Sequence, residues 1–272
     1  METVDSSALF DTHCHLDAIE FDPIRDRYVT EAIKANVQYM LAPALGGHAN
    51  FLKLASLQKC YGILLALGLH PLYASNFNEK DLIDLESTIQ IIKPIAIGEI
   101  GLDNWQHPTN LSHQISLFSA QITLAKDYNL PVILHARGAI DLVLMHLRQA
   151  SLLGGIVHAF NGSEQQAKQF IHLGFKLGFG STITYPNAHH IHRLITQLPA
   201  DVFVLETDAP YMKPVWQNTI LPNNIEQYAQ AIATLRNQSM DEIIGQSTLN
   251  GFEALHIKDQ HRSTLKAATK PA

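Results

Sequence analysis

The chain of 272 residues has little cysteine and no long apolar run. Its two cysteines, Cys14 and Cys60, are too few for a disulfide framework, so we expect a protein of the reducing cytoplasm. No apolar stretch approaches the roughly 20 residues that a membrane-spanning helix requires. Residues 1–7 are polar and acidic, which is not typical of a secretory signal. We therefore expect no association with a membrane.

Positive charge is also scarce. The chain has 19 Lys and Arg against 25 Asp and Glu, which gives a formal net charge of -6. A broad cationic surface for long duplex DNA is not expected, because non-specific affinity comes from Lys and Arg on phosphates. A nucleic-acid substrate is still compatible with this charge, since bound metal ions supply positive charge locally.

Internal repeats and low-complexity linkers are absent as well. With 46% hydrophobic and 16% charged residues, the composition is typical of a globular protein with a substantial core. We expect one domain across residues 1–272, with its core at about 8–257. The polar, basic tail that begins at about Lys258 is expected to be frayed.

Short apolar runs alternate with longer helical patterns along the sequence. The runs are mostly continuous, which is typical of parallel strands that are buried on both faces. About eight β/α units in a chain of this length predict an α/β fold, the (β/α)₈ TIM barrel. A doubly wound sheet is the competing fold, but it usually has a glycine-rich turn after its first strand, where this chain has His-Cys-His. The predicted strands are 9–14, 37–42, 63–69, 95–100, 132–135, 155–158, 175–179 and 202–205.

Several helix starts are recognisable between the strands. Pro23 suits the first position of a helix. Asn78 is predicted to precede another helix, and Ser163 and Ser239 have the spacing of a capping box.

His13 and His15 follow the first predicted strand two positions apart. Residues i and i+2 of a strand point to the same face, so the two imidazoles can hold one metal ion. Cys14 lies between them, points to the opposite face and is expected to pack as a small buried residue. Alone, a His-x-His pair is a weak motif in a chain with 15 histidines.

Four further ligand-type side chains lie at the ends of later predicted strands. Glu99, for example, ends the run 95–99 and shares the alternation of Ile95 and Ile97. In a (β/α)₈ barrel the active site lies at the carboxyl ends of the strands, so these side chains are expected at one mouth. Buried groups of this kind need a partner, and a shared metal ion is the simplest one. The full set is His13, His15, Glu99, His135, His158 and Asp208.

Six ligands are too many for one tetrahedral ion, and they suit two ions that a carboxylate bridges. The first-strand histidines and Asp208 are expected to hold one ion, and His135 and His158 the other. Glu99 is predicted to bridge them. Asp208 could also accept the proton of the attacking water, so Glu99 and Asp208 are the predicted catalytic residues. The predicted cofactors are two divalent ions, Mg, Mn or Zn, and the nitrogen-rich ligand set suits Zn, Mn, Co or Ni better than Mg.

Six sequence blocks connect these residues to a known family. They are His-Cys-His-Leu-Asp at 13–17, Gly-Leu-His-Pro at 68–71, Gly-Glu-Ile-Gly-Leu-Asp at 98–103, His-Ala-Arg at 135–137, His-Ala-Phe-Asn-Gly-Ser at 158–163 and Glu-Thr-Asp-Ala-Pro at 206–210. In order and in content they resemble the TatD family of metal-dependent hydrolases and deoxyribonucleases. The resemblance implies a TIM barrel, a two-metal phosphodiesterase site and a DNA substrate that is often cut from its 3′ end. It also implies that the six side chains above are metal ligands.

Four more residues take candidate roles from this resemblance. His70 matches a histidine that lines the family's site, and Arg137 is a candidate clamp for phosphate, so both are predicted to bind substrate. By sequence alone, a turn histidine and a surface arginine are equally compatible with these positions. Asp103 and Glu206 are candidates for orienting the ligand imidazoles, or for structural hydrogen bonds.

Two departures from the family pattern weaken the predicted DNA-binding rim. Asn104 stands where many members have an aromatic residue, and the segment 211–224, which is basic in many members, has a single lysine. Trp105, Tyr211 and Trp216 are candidates for stacking on bases, or they simply close the barrel mouth. The chain resembles a less characterised branch of the family.

The leading prediction is a hydrolase of phosphodiester bonds, a TatD-like deoxyribonuclease that works from 3′ to 5′ as an exonuclease. Its expected partner is single-stranded or end-accessible DNA, with no obligate protein partner. One alternative is an amidohydrolase-type enzyme for a lactone or amide, although many of its binuclear members bridge their metals with a carbamylated lysine where this chain has Glu99. The other alternative is a non-enzymatic, metal-dependent binding protein.

Overall fold

The computed structural model describes residues 8–105 and 110–258 of the chain. Eight parallel strands follow one another around one sheet in sequence order, and a helix follows each strand. This is the predicted (β/α)₈ TIM barrel. The strands are β1 (Leu9–Asp11), β2 (Val37–Pro43), β3 (Leu64–Leu67), β4 (Ala96–Asp103), β5 (Val132–Arg137), β6 (Gly155–Val157), β7 (Phe175–Phe179) and β8 (Phe203–Leu205).

The helices form the outer layer, and two of them follow the last strand. They are α1 (Arg25–Lys34), α2 (His48–Tyr61), α3 (Glu79–Ile92), α4 (Leu111–Asp127), α5 (Ile140–Leu147), α6 (Glu164–His172), α7 (His189–Gln197), α8 (Asn224–Arg236) and α9 (Met240–Ala254). Short 3₁₀ helices lie at Ile19–Phe21, Pro71–Asn76, Ser181–Thr184 and Ala200–Val202. None of the described helices is long and apolar enough to cross a membrane. Apart from Lys258, the predicted tail lies outside the described residues.

Most of the predicted helix starts are confirmed. Asn78, Ser163 and Ser239 each form a complete capping box, in which the side chains at the two ends of the box bond reciprocally to the backbone. The start at Pro23 is wrong, because α1 begins at Arg25. The chain ahead of α1 turns through a 3₁₀ helix and further backbone hydrogen bonds, and Pro23 lies within that turn.

Successive residues along the strands belong alternately to two apolar clusters, one on each face of the sheet. One fills the space between the sheet and the helices, and includes Val132 and Leu134 of β5. The other fills the barrel interior with residues such as Ile133 and Val204, and Phe252 of α9 packs among them. This packing fills the end of the barrel where the strands begin, so the opposite mouth is left for the site.

The barrel closes where the ends of β1 and β8 meet, a region we call the seam. The Thr12 N–H donates to the Leu205 carbonyl at 3.1 Å, and the Asp208 N–H donates to the His13 carbonyl at 2.8 Å. Farther along, the His15 N–H donates to the Ala209 carbonyl at 2.8 Å. The seam therefore brings the first and last predicted ligand segments side by side.

A buried carboxyl group, Asp11, reinforces the seam. Its Oδ1 accepts the N–H of Thr207 at 2.9 Å and that of His13 at 3.3 Å, and its Oδ2 accepts the Thr207 hydroxyl at 2.7 Å. Burial raises the pKa of Asp11 to about 7, although the hydrogen bonds from Thr207 oppose this rise. Asp11 thus holds the segment before His13 against the segment before Asp208.

We expect Asp11→Ala to lower the free energy of unfolding by about 3 kcal/mol, because it leaves the buried N–H and hydroxyl of Thr207 without an acceptor. Asp11→Asn keeps a carbonyl acceptor at the same place and should lose less than half as much. Urea denaturation of the three metal-free proteins measures both changes. Equal losses in the two variants would show that the hydrogen bonds to Asp11 do not hold the seam.

Candidate metal centre

The six predicted ligand residues lie together at the carboxyl ends of the strands. Five of them line a cleft of about 1040 Å³, and His13 is fully buried beside it. The convergence expected from the strand-end rule is therefore seen in the structure. Their role as ligands stays a prediction, and the distances below show how well they suit it.

His13 and His15 lie beyond β1, which ends at Asp11 and is shorter than predicted. Cys14 continues the extended path through an isolated parallel bridge to Ala209. The two imidazoles point the same way, with 3.2 Å between their Nε2 atoms. Cys14 is fully buried, as predicted.

Glu99 reaches the barrel mouth because β4 contains a β-bulge. Ile97 pairs with Val132 and Ile100 pairs with Leu134, so three steps along β4 match two along β5. Ile97 and Ile100 both pack in the outer cluster, and strict alternation from Ile97 would have directed Glu99 outward as well. The predicted alternation of Glu99 with Ile95 and Ile97 is therefore wrong. The extra residue of the bulge turns the Glu99 side chain toward the barrel mouth.

One oxygen of Glu99 completes a tight group with the first-strand histidines. Glu99 Oε2 lies 3.1 Å from His13 Nε2 and 3.4 Å from His15 Nε2, yet it accepts no well-formed hydrogen bond from the described residues. Atoms that bind one ion at 2.0–2.1 Å lie about 3.0–3.4 Å from one another. The three atoms therefore fit one divalent ion, and Asp208 Oδ1 stands 3.8 and 3.6 Å from the same two nitrogens.

The other oxygen of Glu99 faces His135. Glu99 Oε1 lies 2.8 Å from His135 Nδ1, and Asp103 Oδ2 lies 2.8 Å from His135 Nε2. If Nε2 donates its proton to Asp103, the lone pair of Nδ1 faces a carboxylate oxygen, an arrangement that a cation between them satisfies. Asp103 thus occupies the position expected of a residue that orients the imidazole.

His158 lies beside Glu206, although its Nδ1 makes no well-formed hydrogen bond to the described residues. Its Nδ1 lies 2.9 Å from Glu206 Oε1, and its Nε2 lies 3.8 Å from Asp208 Oδ2. Glu206 fits there because position 178 is glycine, where a Cβ would lie 2.2 Å from Glu206 Oε2. Each of these two histidines therefore has one nitrogen beside a carboxylate and the other directed toward the centre.

His70 also approaches Glu99, but with different chemistry. Its Nδ1 accepts the Leu72 N–H at 3.1 Å, so a neutral imidazole carries its proton on Nε2. That nitrogen lies 3.3 Å from Glu99 Oε1. His70 is thus a hydrogen-bond donor at the edge of the site rather than a free lone pair.

At Glu99 and His13 the electrostatics favour the protonation states that metal ligands require. Burial alone would raise the pKa of Glu99, but His70 and His13 hold it well below its usual range. Burial and His158 lower the pKa of His13 well below its usual range. An ionised carboxylate therefore faces a neutral imidazole at neutral pH.

The pKa of Asp208 is shifted in the opposite direction from that of Glu99. Burial raises the pKa of Asp208 to about 6. Its backbone is in the left-handed region, with a φ of 53°, which aspartate tolerates better than most residues.

Both predicted substrate-binding residues and two of the three candidate aromatic residues line the cleft. His70, Arg137, Trp105 and Tyr211 line it, whereas Trp216 is not among the described lining residues. The sequence analysis did not identify Asp11 and Thr207 as the residues that join the two sides of the seam. The signal for them was weak: each is a polar residue that follows a short apolar run, 8–10 for Asp11 and 202–205 for Thr207.

The short distance between Glu206 and His158 leads to a testable prediction about the pKa of His158. Burial lowers the pKa of His158, but Glu206 and Asp208 outweigh it and raise the pKa to about 10. In the metal-free protein, Glu206→Gln should bring the pKa of His158 down toward its ordinary value of about 6.5. An NMR titration of the His158 ring measures this. The exposed Glu226→Gln is the control, and a His158 pKa unchanged by Glu206→Gln would contradict the assigned contact.

Comparison with known proteins identifies the family of this chain. The sequence profile of the family described as TatD related DNase matches residues 10–256. The uncharacterized metal-dependent hydrolase YjjV of Escherichia coli K12 is 40% identical over 252 residues, which span 90% of this chain and 96% of that protein. The human deoxyribonuclease TATDN3 is 31% identical over 259 residues, 90% of this chain and 93% of its own.

A solved structure extends the comparison to the fold. The crystal structure of YjjV, a TatD homologue from Escherichia coli, superposes with a TM-score of 0.88 at 34% identity, covering 93% of this chain and all of that one (100%). The family match covers almost the whole chain and includes every residue of the candidate centre. The protein therefore belongs to the TatD family of metal-dependent hydrolases.

Proposed function

We propose that the protein is a phosphodiesterase that cuts DNA with two divalent metal ions. The observation that carries the proposal is the position of Glu99, whose two oxygens face different histidines. Oε2 faces His13 and His15, and Oε1 faces His135. A carboxylate in this position can bridge two ions.

In this proposal the ligand residues form two sets, one for each metal ion. One ion would be held by the first-strand histidines and Asp208, and the other by His135 and His158. Asp103 is hydrogen-bonded to His135 Nε2, and Glu206 lies 2.9 Å from His158 Nδ1, so each carboxylate would orient one of the two later imidazoles. His70 stays outside the ligand set because its Nε2 carries a proton.

When bound, two divalent ions polarise the phosphoryl oxygen and make water a stronger nucleophile. Asp208 faces the first-strand histidines with one oxygen and His158 with the other, so it is placed to accept a proton from the attacking water. The guanidinium of Arg137 is available to the phosphate oxygens, because this side chain lines the cleft. His70 also lines the cleft, but its one N–H is directed at Glu99 Oε1, so it would contact a phosphate only in place of that oxygen.

DNA is the proposed substrate for two reasons. The family is described as TatD related DNases, and the human relative is named a deoxyribonuclease. The buried floor of the cleft also suits an end of a strand better than the middle of a duplex. We therefore propose cleavage from a single-stranded or accessible 3′ end, with Mg, Mn or Zn as the ion.

Glu99→Gln should abolish turnover while the protein stays folded. We expect kcat for a phosphodiester to fall at least about 100-fold, because an amide is a poor bridge between two cations. Elemental analysis should show less divalent metal per chain than in the wild type. Asp141→Asn is the matched control, since Asp141 lines the same cleft but its Oδ1 accepts a hydrogen bond from Gln166.

The same assay separates the alternatives. Wild-type rates in Glu99→Gln would contradict the bridging role. A metal-loaded protein that hydrolyses lactones or amides but no phosphodiester would favour the amidohydrolase alternative. Bound metal without turnover of either class would favour a binding protein.

A further inference from the structure

Three aromatic side chains from three loops surround the candidate metal centre. The ring of Tyr73, after β3, lies 5.9 Å from that of His70, and the ring of Tyr211, after β8, lies 5.4 Å from that of His15. Trp105, after β4, also lines the cleft and is 62% exposed. The mouth of the cleft therefore offers aromatic faces to any molecule that enters it.

Of the three, Trp105 has the most direct connection to a predicted ligand. Its backbone N–H donates to Asp103 Oδ1 at 3.1 Å, and the other oxygen of that carboxylate lies 2.8 Å from His135 Nε2. The guanidinium carbon of Arg137 lies 5.5 Å from the centre of the indole ring. Gly138 lets the backbone of the Trp105 segment lie close to the end of β5, because a Cβ there would lie 3.1 Å from the Trp105 backbone nitrogen. One aromatic ring and one cation are thus held together beside the centre.

Lysine and arginine are scarce among the described residues that line the cleft. Among the described residues that line the cleft, Arg137 is the one lysine or arginine, whereas Glu99, Asp141 and Asp208 bring carboxylates. Each contact between a cation and a phosphate adds affinity and salt dependence. The cleft of about 1040 Å³ is also close in size to small-ligand pockets, which reach about 1,000 Å³. A long polyanion therefore has few cations to contact beyond the centre itself.

We propose that the cleft recognises a nucleic-acid end as a short unit, with one base stacked on Trp105 and one phosphate paired with Arg137. This rests on the phosphodiesterase function proposed above and specifies which part of the substrate is bound. Stacking of a base on an aromatic side chain contributes about 10-fold or more in affinity, and every base offers a π-face. Short oligonucleotides are then recognised as well as long strands, with little sequence preference.

A binding experiment tests the stacking without any turnover. The chain has two tryptophans, so Trp216→Phe leaves Trp105 as the one indole. In this metal-loaded variant, deoxyadenosine 5′-phosphate should quench the tryptophan fluorescence. The base-free 2-deoxyribose 5-phosphate, measured by competition, should bind at least about 10-fold more weakly. Equal affinities, or no quenching, would overturn the stacking of a base on Trp105.

Kinetics of the variants test the same residue in the reaction. Trp105→Ala should raise KM for a dinucleotide about 10-fold with little change in kcat, and Trp105→Phe should restore most of the loss. Trp216→Ala is the matched control, since Trp216 is also exposed (52%) but is not among the described cleft residues. An unchanged KM in Trp105→Ala, or no rescue by phenylalanine, would contradict the proposal.

Length and salt dependence test the single phosphate contact. Across oligonucleotides of two to about 20 nucleotides, KM should vary less than about 3-fold, with a slope near -0.7 for log affinity against log salt. Arg137→Ala should bring that slope closer to zero. A KM that falls steadily with length, with a slope steeper than about -3, would instead indicate a surface that follows the backbone.

Failure of this inference is distinguishable from failure of the proposed function. If no phosphodiester of any length is hydrolysed, the phosphodiesterase proposal fails. If a dinucleotide is hydrolysed with the same KM in the wild type and in Trp105→Ala, the proposed function stands and the recognition of a base by Trp105 fails.

Discussion

Glu99 is a fully buried carboxylate, and the arrangement of the candidate centre depends on it. Burying an isolated charge costs much free energy, so this side chain requires proton donors or cations around it. His70 offers a proton to one of its oxygens, while the first-strand histidines and His135 direct nitrogen atoms toward the carboxylate. Where those nitrogens carry lone pairs, only a cation between the atoms makes the contact favourable. The same ions would therefore satisfy the carboxylate and the histidines.

Two features of the barrel hold Glu99 and its neighbours in place. The bulge in β4 turns Glu99 inward, and the adjoining strand pairs His135 with Gly101, which brings its Nδ1 within 2.8 Å of Glu99 Oε1. At the seam, Asp11 connects the segment before His13 to the segment before Asp208. Closure of the barrel and assembly of the centre thus depend on the same hydrogen bonds. The catalytic mouth is free for this purpose because α9 and the inner cluster fill the opposite end.

The barrel and the composition of the site were predictable, because both follow from simple regularities. Continuous apolar runs indicate parallel strands, and the ends of such strands meet at one mouth. The orientation of single side chains was less predictable. A bulge adds one residue without changing the apolar pattern, so alternation from Ile97 failed at Glu99. The proton position on His70 depends on its contact with the Leu72 N–H, and the turn around Pro23 depends on backbone hydrogen bonds, neither of which a sequence pattern contains.

Anomalous X-ray diffraction from crystals soaked in Mn²⁺ is the most direct test of the central claim. Two peaks are expected about 3.5–4 Å apart, each next to a different oxygen of Glu99. A single peak, or two peaks that share no contact with Glu99, would contradict the proposal that this carboxylate bridges a pair of ions.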